Sequence, residues 1–242
     1  MKHSQFFQIL ICLIFSLVNN VKANDDVVVL GTKVQWKPYH IDTIDGADGI
    51  AVRAFSCIMA RLNQPYIIRK MPWKRVQYET KQGKLDGFFS ASQNSERDSY
   101  ATLSKVFLPQ KRSFYFLKEH NPKISTDVSQ WNKELFFGAR AGSNALKSLL
   151  KNGFKMTIQP QTEYQLLKLL DMKRVDAVLE NNLVFESLLK RENRLLTDFH
   201  KVLLEEKNMG AYFSHSYLQK HPTFMAKFND NVEVCSLISN VR

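Results

Sequence analysis

Residues 88–104 read FFSASQNSERDSYATLS. A strand-like pair of phenylalanines gives way to a turn of small polar residues, and Arg97 follows almost at once. Ser90, Ser92 and Asn94 can offer hydroxyls, carbonyls and an amide. Arg97 offers a planar fork of donors that fits a carboxylate or phosphate with two parallel hydrogen bonds. This is the chemistry of holding an anion. Glu96 and Asp98 flank the arginine, and a pairing with either would leave it an ordinary surface ion pair.

Two other places carry compatible residues. The segment Arg140-Ala141-Gly142-Ser143-Asn144 brings a second cation to a Gly-Ser pair that reads as a helix start, where free backbone amides favour negative charge. Trp36, Tyr39 and Trp73 stand in loops that follow strand-like runs, where aromatic faces can cage a small molecule. The same tryptophans would serve equally as core residues. No Ser-His-Asp set, zinc-ligand spacing or phosphate loop accompanies them, so no metal or cofactor is expected. His40, His120, His200, His215 and His221 lack ligand spacing and read as surface residues.

These residues need a frame that gathers loops at one edge. Val27–Gly31 is a short continuous apolar run of the kind found in buried strands. A helical pattern follows from Gly49 to Leu62, then a strand at Tyr66–Ile68, a helix from Trp73 to Gln82 and a strand from Leu85 to Ser90. The alternation restarts with strands at Leu135–Gly138, Met156–Ile158 and Val175–Leu179 and helices from Gly142, Glu163 and Asn182. Alternating strands and helices indicate parallel α/β sheets, which bind ligands at the carboxyl ends of their strands. Every residue singled out above falls at such an end. Arg112–Leu117 reads as an aromatic strand linking the two units, Met209–Ser214 as the returning link, and Pro222–Val241 as helical.

The chain has 242 residues and a formal charge of +11. Its first residues carry Lys2, an apolar run from Phe6 to Val18, and a small residue at Ala23. This is the three-part pattern of a cleaved export signal, and the run is short for a membrane span. Without Lys2 and Lys22 the charge is +9, and the remaining cations are dispersed. No nucleic-acid-binding signature is present; an exported basic protein is better matched to anionic solutes or surfaces. Cys57 and Cys235 would then meet an oxidising compartment, either bridged or as separate buried thiols.

The order WKPY, DG-IAVRAF, GKLDGFFSASQNSER, GARAGS and VDAVLEN resembles family 3 of the periplasmic solute-binding proteins, the amino-acid-binding components of bacterial ABC importers. The likeness spans nearly all of the chain beyond residue 23. It implies a two-lobed α/β fold of the second periplasmic-binding-protein type. Each lobe would be a mixed, mostly parallel sheet flanked by helices. Residues 24–112 and 213–242 would form the first lobe and 113–212 the second, with a two-strand hinge. By this resemblance Trp36 and Trp73 sandwich the ligand, Ser90 and Ser92 hydrogen-bond it, and Arg97 grips its carboxylate. Arg140, Ser143 and Asn144 reach it from the second lobe. The family usually places an aspartate where this chain has Asn181. Either Glu180 beside it binds a ligand ammonium, with Asp48 a further candidate, or the ligand is no ordinary α-amino acid. The resemblance also returns the last segment to the first lobe, bringing Cys235 toward Cys57. It implies a monomer in the periplasm that hands a small carboxylate or amino acid to a membrane importer. A ligand sensor for a membrane receptor is the neighbouring alternative. A dehydratase on the same fold would need a cleft carboxyl of raised pKa, for which Glu180 is the nominee.

Overall fold

The structure, a computed structural model, describes residues 27–44, 46–125, 127–131, 135–156 and 158–236. The export signal expected over residues 1–23 lies outside the described residues. Among them, no helix is long and apolar enough to cross a membrane.

The first lobe is a five-stranded sheet in the order β4 (Tyr66–Lys70), β1 (Val28–Thr32), β5 (Gly87–Ala91), β12 (Gly210–Ser214), β6 (Ala101–Leu103). β1 (VVLGT) and β5 (GFFSA) open on apolar runs because both faces of the sheet are covered, and turn polar only at Thr32 and Ser90 near their carboxyl ends. Helix α1 (Ile50–Arg61) buries Ala51, Ala54, Phe55 and Ile58 at helical spacing against Phe89 and Phe213 on one face. Helix α2 (Trp73–Lys81) sets Val76 against Leu85, Phe88 and Tyr212 on the other. Burying a phenylalanine fully is worth about 1.5–3 kcal/mol, and Phe55, Phe88, Phe89 and Phe213 are all fully buried. Gly87 is required here: a Cβ would stand 2.1 Å from the Tyr212 carbonyl oxygen on β12.

The second lobe repeats the plan. Its sheet runs β11 (Phe199–Glu206), β7 (Lys111–Leu117), β10 (Ala177–Asn181), β8 (Phe136–Gly138), β9 (Lys155–Met156). Helices α4 (Asn144–Lys151), α5 (Glu163–Asp171) and α6 (Asn182–Arg191) cover it. The parallel pairs are those the alternation of strands and helices predicts: β1 with β4 and β5, and β8 with β9 and β10. The returning strands add two antiparallel pairs to each sheet, so the sheets are evenly mixed and not mostly parallel.

The crossings between the lobes fall at residues 108–110 and 207–209. Leu108 and Met209 exchange N–H···O bonds of 3.0 and 2.9 Å, and Lys207 N donates to Gln110 O at 2.9 Å. Both expected boundaries therefore move by a few residues. β7 already belongs to the second sheet from Lys111, and β12, read as a link, is a full member of the first sheet through its pairing with β5. After β12 the chain stays on the first lobe as α7 (His215–Lys220), α8 (Phe224–Asp230) and α9 (Val232–Cys235). A disulfide joins Cys235 to Cys57 on α1, with the Cα atoms 5.8 Å apart. The remainder of the helical reading, beyond residue 236, lies outside the described residues.

Candidate functional site

The carboxyl ends of β1 and β5 in one lobe face those of β8 and β10 in the other, with both hinge crossings alongside. The cavity between them has a volume of about 60 Å³. Trp36, Trp73, Ser90, Ser92, Arg97, Arg140, Ser143, Asn144 and Glu180 all line it, joined by Lys33, His40, Gln110, Arg112 and Met209.

Ser90 and Arg97 owe their positions to the end of β5. The ladder between β5 and β12 shifts register at Ser90, whose φ of 63° lies in the left-handed region. A bulge of this kind re-aims a side chain at the edge of a site. The Ser90 hydroxyl lies 2.8 Å from His40 Nε2, and the Thr32 hydroxyl lies 2.9 Å from His40 Nδ1. Two more bonds, each of 3.0 Å, run between the backbones of Trp36 and His40 and fold this loop back under the cleft. Burial lowers the His40 pKa to about 3, assisted by the Lys33 charge, so the imidazole is neutral. His40 is thus an interior residue and not a surface one; a short loop turned inward has no apolar periodicity to reveal it.

Arg97 sits in the short helix α3 (Ser95–Asp98), which Asn94 caps by accepting from Arg97 N at 2.9 Å. The residue is 2 % exposed. It donates to Ser92 O at 2.6 Å and to Gln77 Oε1 at 3.1 Å, and it lies over the Trp73 ring at 5.3 Å. Neither flanking acid claims it: Asp98 accepts from Tyr212 Oη at 2.7 Å, and Glu96 pairs with Lys147. Among the described residues Arg97 has no carboxylate partner. Burial lowers its pKa to about 10, leaving it charged at neutral pH.

In the second lobe, β8 and β10 run parallel with Gly138 opposite Val178. Two residues further on, Arg140 and Glu180 meet. Arg140 Nε donates to Glu180 Oε2, and Nη2 donates to Oε1 at 3.2 Å. Glu180 Oε1 also accepts from Asn181 N at 2.7 Å. Burial alone would raise the Glu180 pKa, but the Arg140 charge and these hydrogen bonds hold it below the usual carboxylate range. Glu180 is therefore an ionised partner of Arg140, without the proton a general acid needs and with three of its four acceptor sites already filled. Arg140 lies 5.3 Å above the Trp36 ring.

Contacts across the cleft close one lobe on the other. Asn144 Nδ2 donates to Ser92 Oγ at 2.7 Å and to the carbonyls of Ser92 and Gln93 at 3.1 Å, and its Oδ1 accepts from Asn94. Ser143 caps α4 by accepting from Leu146 N at 3.1 Å and donates to Arg140 O at 2.7 Å. Gly142, at φ 70°, packs beneath α2, where a Cβ would come within 3.0 Å of Lys74 Cγ.

Three residues picked from the sequence stand behind the cavity wall. Tyr39 donates to Pro109 O at 2.6 Å, Asn181 Nδ2 donates to Tyr39 Oη at 3.2 Å, and Asn181 Oδ1 caps α6 through Val184 N at 3.2 Å. These two tie the hinge region together, and Gly142 serves closure. Asp48 is half-buried and paired with Arg53 at 2.7 Å, and it is absent from the cavity lining. Conversely, Lys33, Gln110 and Arg112 were not picked out as site residues. Arg112 opens an aromatic strand next to a crossing, where a buried cation is out of place; that is the one signal the sequence held.

The cavity is markedly cationic. Lys33, Arg97, Arg112 and Arg140 line it against one carboxylate, Glu180. Lys33 Nζ, Trp36 Nε1 and Arg112 Nε and Nη1 are buried without a hydrogen-bond partner. Arg112 is held on its other nitrogen by Glu205 at 2.5 Å.

No family model and no curated protein sequence matches the chain. Solved structures do share its fold. A histidine kinase sensor domain with similarity to periplasmic binding proteins superposes with a TM-score of 0.74 at 13 % identity, over 89 % of this chain and 91 % of that one. A substrate-binding protein of an ABC uptake transporter from Streptococcus pneumoniae, with bound histidine, gives 0.71 at 16 % identity over 86 % of both chains. An ancestral amino-acid-binding protein, a precursor of cyclohexadienyl dehydratase, gives 0.69 at 14 % over 86 % and 88 %. The fold is the two-lobed periplasmic-binding-protein fold.

Proposed function

We propose that this chain is an exported solute-binding protein. It closes its two lobes on a small carboxylate-bearing solute, an amino acid or a relative of one, and performs no chemistry of its own. One observation carries the reading: Arg97 is a fully buried cation with no carboxylate partner among the described residues. An unpaired buried charge is costly, and an anionic ligand offsets that cost. Trp73 beneath the guanidinium and Ser90 and Ser92 at its edge complete a receptor for a carboxylate. The resemblance in sequence and the fold shared with amino-acid-binding proteins of ABC transporters support delivery to a membrane importer. A second reading, a sensor for a membrane receptor, has its support in the likeness to a kinase sensor domain. Residues 1–23 would direct export to the periplasm, and Glu180, paired and ionised, gives an enzyme reading little to work with.

The test is Arg97→Ala. The small molecule that co-purifies with the wild-type protein is identified by mass spectrometry and titrated into both proteins by calorimetry. Losing one side of a buried charged pair costs about 2–5 kcal/mol, roughly 30- to several-thousand-fold in affinity. Wild-type affinity in the variant, with its melting curve intact, would remove Arg97 from the site and the reading with it.

A further inference from the structure

The donors and acceptors lining the cleft are badly unbalanced, and the imbalance describes a ligand. A protein rarely buries a hydrogen-bonding group without a partner. Among the described residues five such groups belong to cleft residues, and four of the five are donors: Lys33 Nζ, Trp36 Nε1 and two nitrogens of Arg112. Arg97 adds a charge without a carboxylate partner. On the acceptor side, Glu180 already takes three hydrogen bonds, two from Arg140 and one from the Asn181 amide, which leaves a single lone-pair site on Oε2. Ser92 O is already shared by Arg97 and Asn144. His40 lies between two hydroxyls. Gln110 Oε1 is the one cleft acceptor among the buried unpartnered groups.

A positively charged group on a ligand would therefore meet three arginines and Lys33, itself 3.6 Å from Glu163, and would find only the Gln110 amide oxygen and one lone-pair site of Glu180 open to it. A second anionic group would find idle donors. These donors fall at two places. Arg97 and Arg112 are near enough for the Arg112 charge to depress Arg97. Lys33 and Trp36 share the loop after β1, next to Arg140. We propose that the cleft binds a small dicarboxylic acid that lacks an ammonium group, one carboxylate toward Arg97 and Arg112 and the other toward Lys33. This rests on the cleft being the ligand site and specifies the chemical class that fills it.

The test separates the two charges of the ligand. Calorimetric titrations at pH 7 use two sets of equal chain length: succinate, L-aspartate, butyrate and L-2-aminobutyrate, then glutarate, L-glutamate, valerate and L-norvaline. Succinate or glutarate is expected to bind at least about tenfold more tightly than its three partners, one lost charged hydrogen bond corresponding to roughly that factor or more. Lys33→Met should reduce the dicarboxylate affinity about tenfold or more and leave the corresponding monocarboxylate unchanged, with circular dichroism and melting confirming the fold. If the amino acids bind most tightly, the dicarboxylate assignment is wrong while the solute-binding reading stands. If none of the eight acids binds, the dicarboxylate assignment is overturned, and the Arg97→Ala titration with the co-purified molecule decides the solute-binding reading separately. A dicarboxylate preference that survives Lys33→Met would remove Lys33 from the second subsite and overturn the assignment as stated.

Discussion

At the scale of single residues, Lys33 makes the cleft sensitive to pH. Burial, helped by the Arg140 charge and opposed by Glu163 and Glu180, lowers its pKa to about 7. Glu163 lies 3.6 Å from Lys33 Nζ and also 3.6 Å from Arg191, so its charge is shared. Neutral His40 adds no charge of its own. An anion arriving next to Lys33 favours the ammonium and raises this pKa. Above about pH 7, then, binding must take up a proton, and affinity should fall by up to about tenfold per pH unit until the bound-state pKa is reached. Below about pH 7, Lys33 is already charged and adds no pH dependence. Calorimetry at pH 8 in two buffers of different ionisation enthalpy should reveal the uptake, and Lys33→Met should abolish it. Equal apparent enthalpies for the wild type in both buffers would place Lys33 away from the bound anion. The sequence could not have announced this residue. A lysine in a polar loop looks solvated, and only the closing of Glu163 and Arg140 over it from the other lobe removes the water.

At the scale of elements, closure and stability rest on different helix starts. Asn144, first residue of α4, spends its amide on Ser92 and Gln93 across the cleft, whereas Ser143 keeps the cap. Asn144→Ala should therefore weaken ligand binding by about 1–2 kcal/mol, the worth of one or two net hydrogen bonds, and barely move the melting temperature of the unliganded protein. Ser214 caps α7 on the first lobe, far from the cleft contacts, by accepting from Tyr217 N at 3.1 Å. Its replacement by alanine should lower stability by about 1 kcal/mol and leave affinity unchanged. Scanning calorimetry and titration of both variants read the contrast, and a stability loss in Asn144→Ala equal to that in Ser214→Ala would refute the division. The same elements show what sequence patterns can carry. β1, β5 and β10 stand out through the apolar runs that a strand covered on both faces carries, VVL, GFF and AVL, ahead of the polar residues at their carboxyl ends. The helices α1, α2, α5 and α6 stand out through their spacing. β11 escapes notice because it is an edge strand with one wet face, HKVLLEE mixing charge with leucine, and the hairpin of β2 (Ile41–Thr43) with β3 (Gly46–Asp48) is too short for any period. In the cleft, Arg97, Trp36, Trp73 and the Ser-Asn turns could be picked out because each sits where a strand ends. Arg112 shows only as a cation opening an aromatic strand; that it reaches the cleft depends on β7 lying beside β10, with Arg112 opposite Asn181.

At the scale of the whole molecule, the chain leaves the first lobe, builds the second, and comes back to finish the first. The first lobe is thus made of two distant segments, and its returning part ends at the Cys57–Cys235 bridge, 178 residues apart in sequence. Cys235 on α9 is buried against the α1 side of the sheet, in the cluster that includes Phe55, Phe228 and Val232. The bridge does not cross the cleft: both cysteines belong to one lobe, while the hinge and the Asn144, Gln77 and Lys147 contacts lie elsewhere. It should therefore act on unfolding and not on closure. A loop of this length lowers the entropy of the unfolded chain by an amount worth about 5 kcal/mol in the chain-entropy model. The double variant Cys57→Ser/Cys235→Ser should show a clearly lower denaturant midpoint, and the wild type should shift alike once reductant reaches the bridge. Ligand affinity of the folded double variant should stay within about twofold of wild type, because no cleft residue loses a contact. The loss should also be partly recovered at saturating ligand, since binding to the folded state alone adds stability by mass action. A double variant as stable as wild type would mean that α8 and α9 hold the returning segment without the bridge. One that kept its stability but lost affinity would mean that the far side of the first lobe shapes the cleft after all.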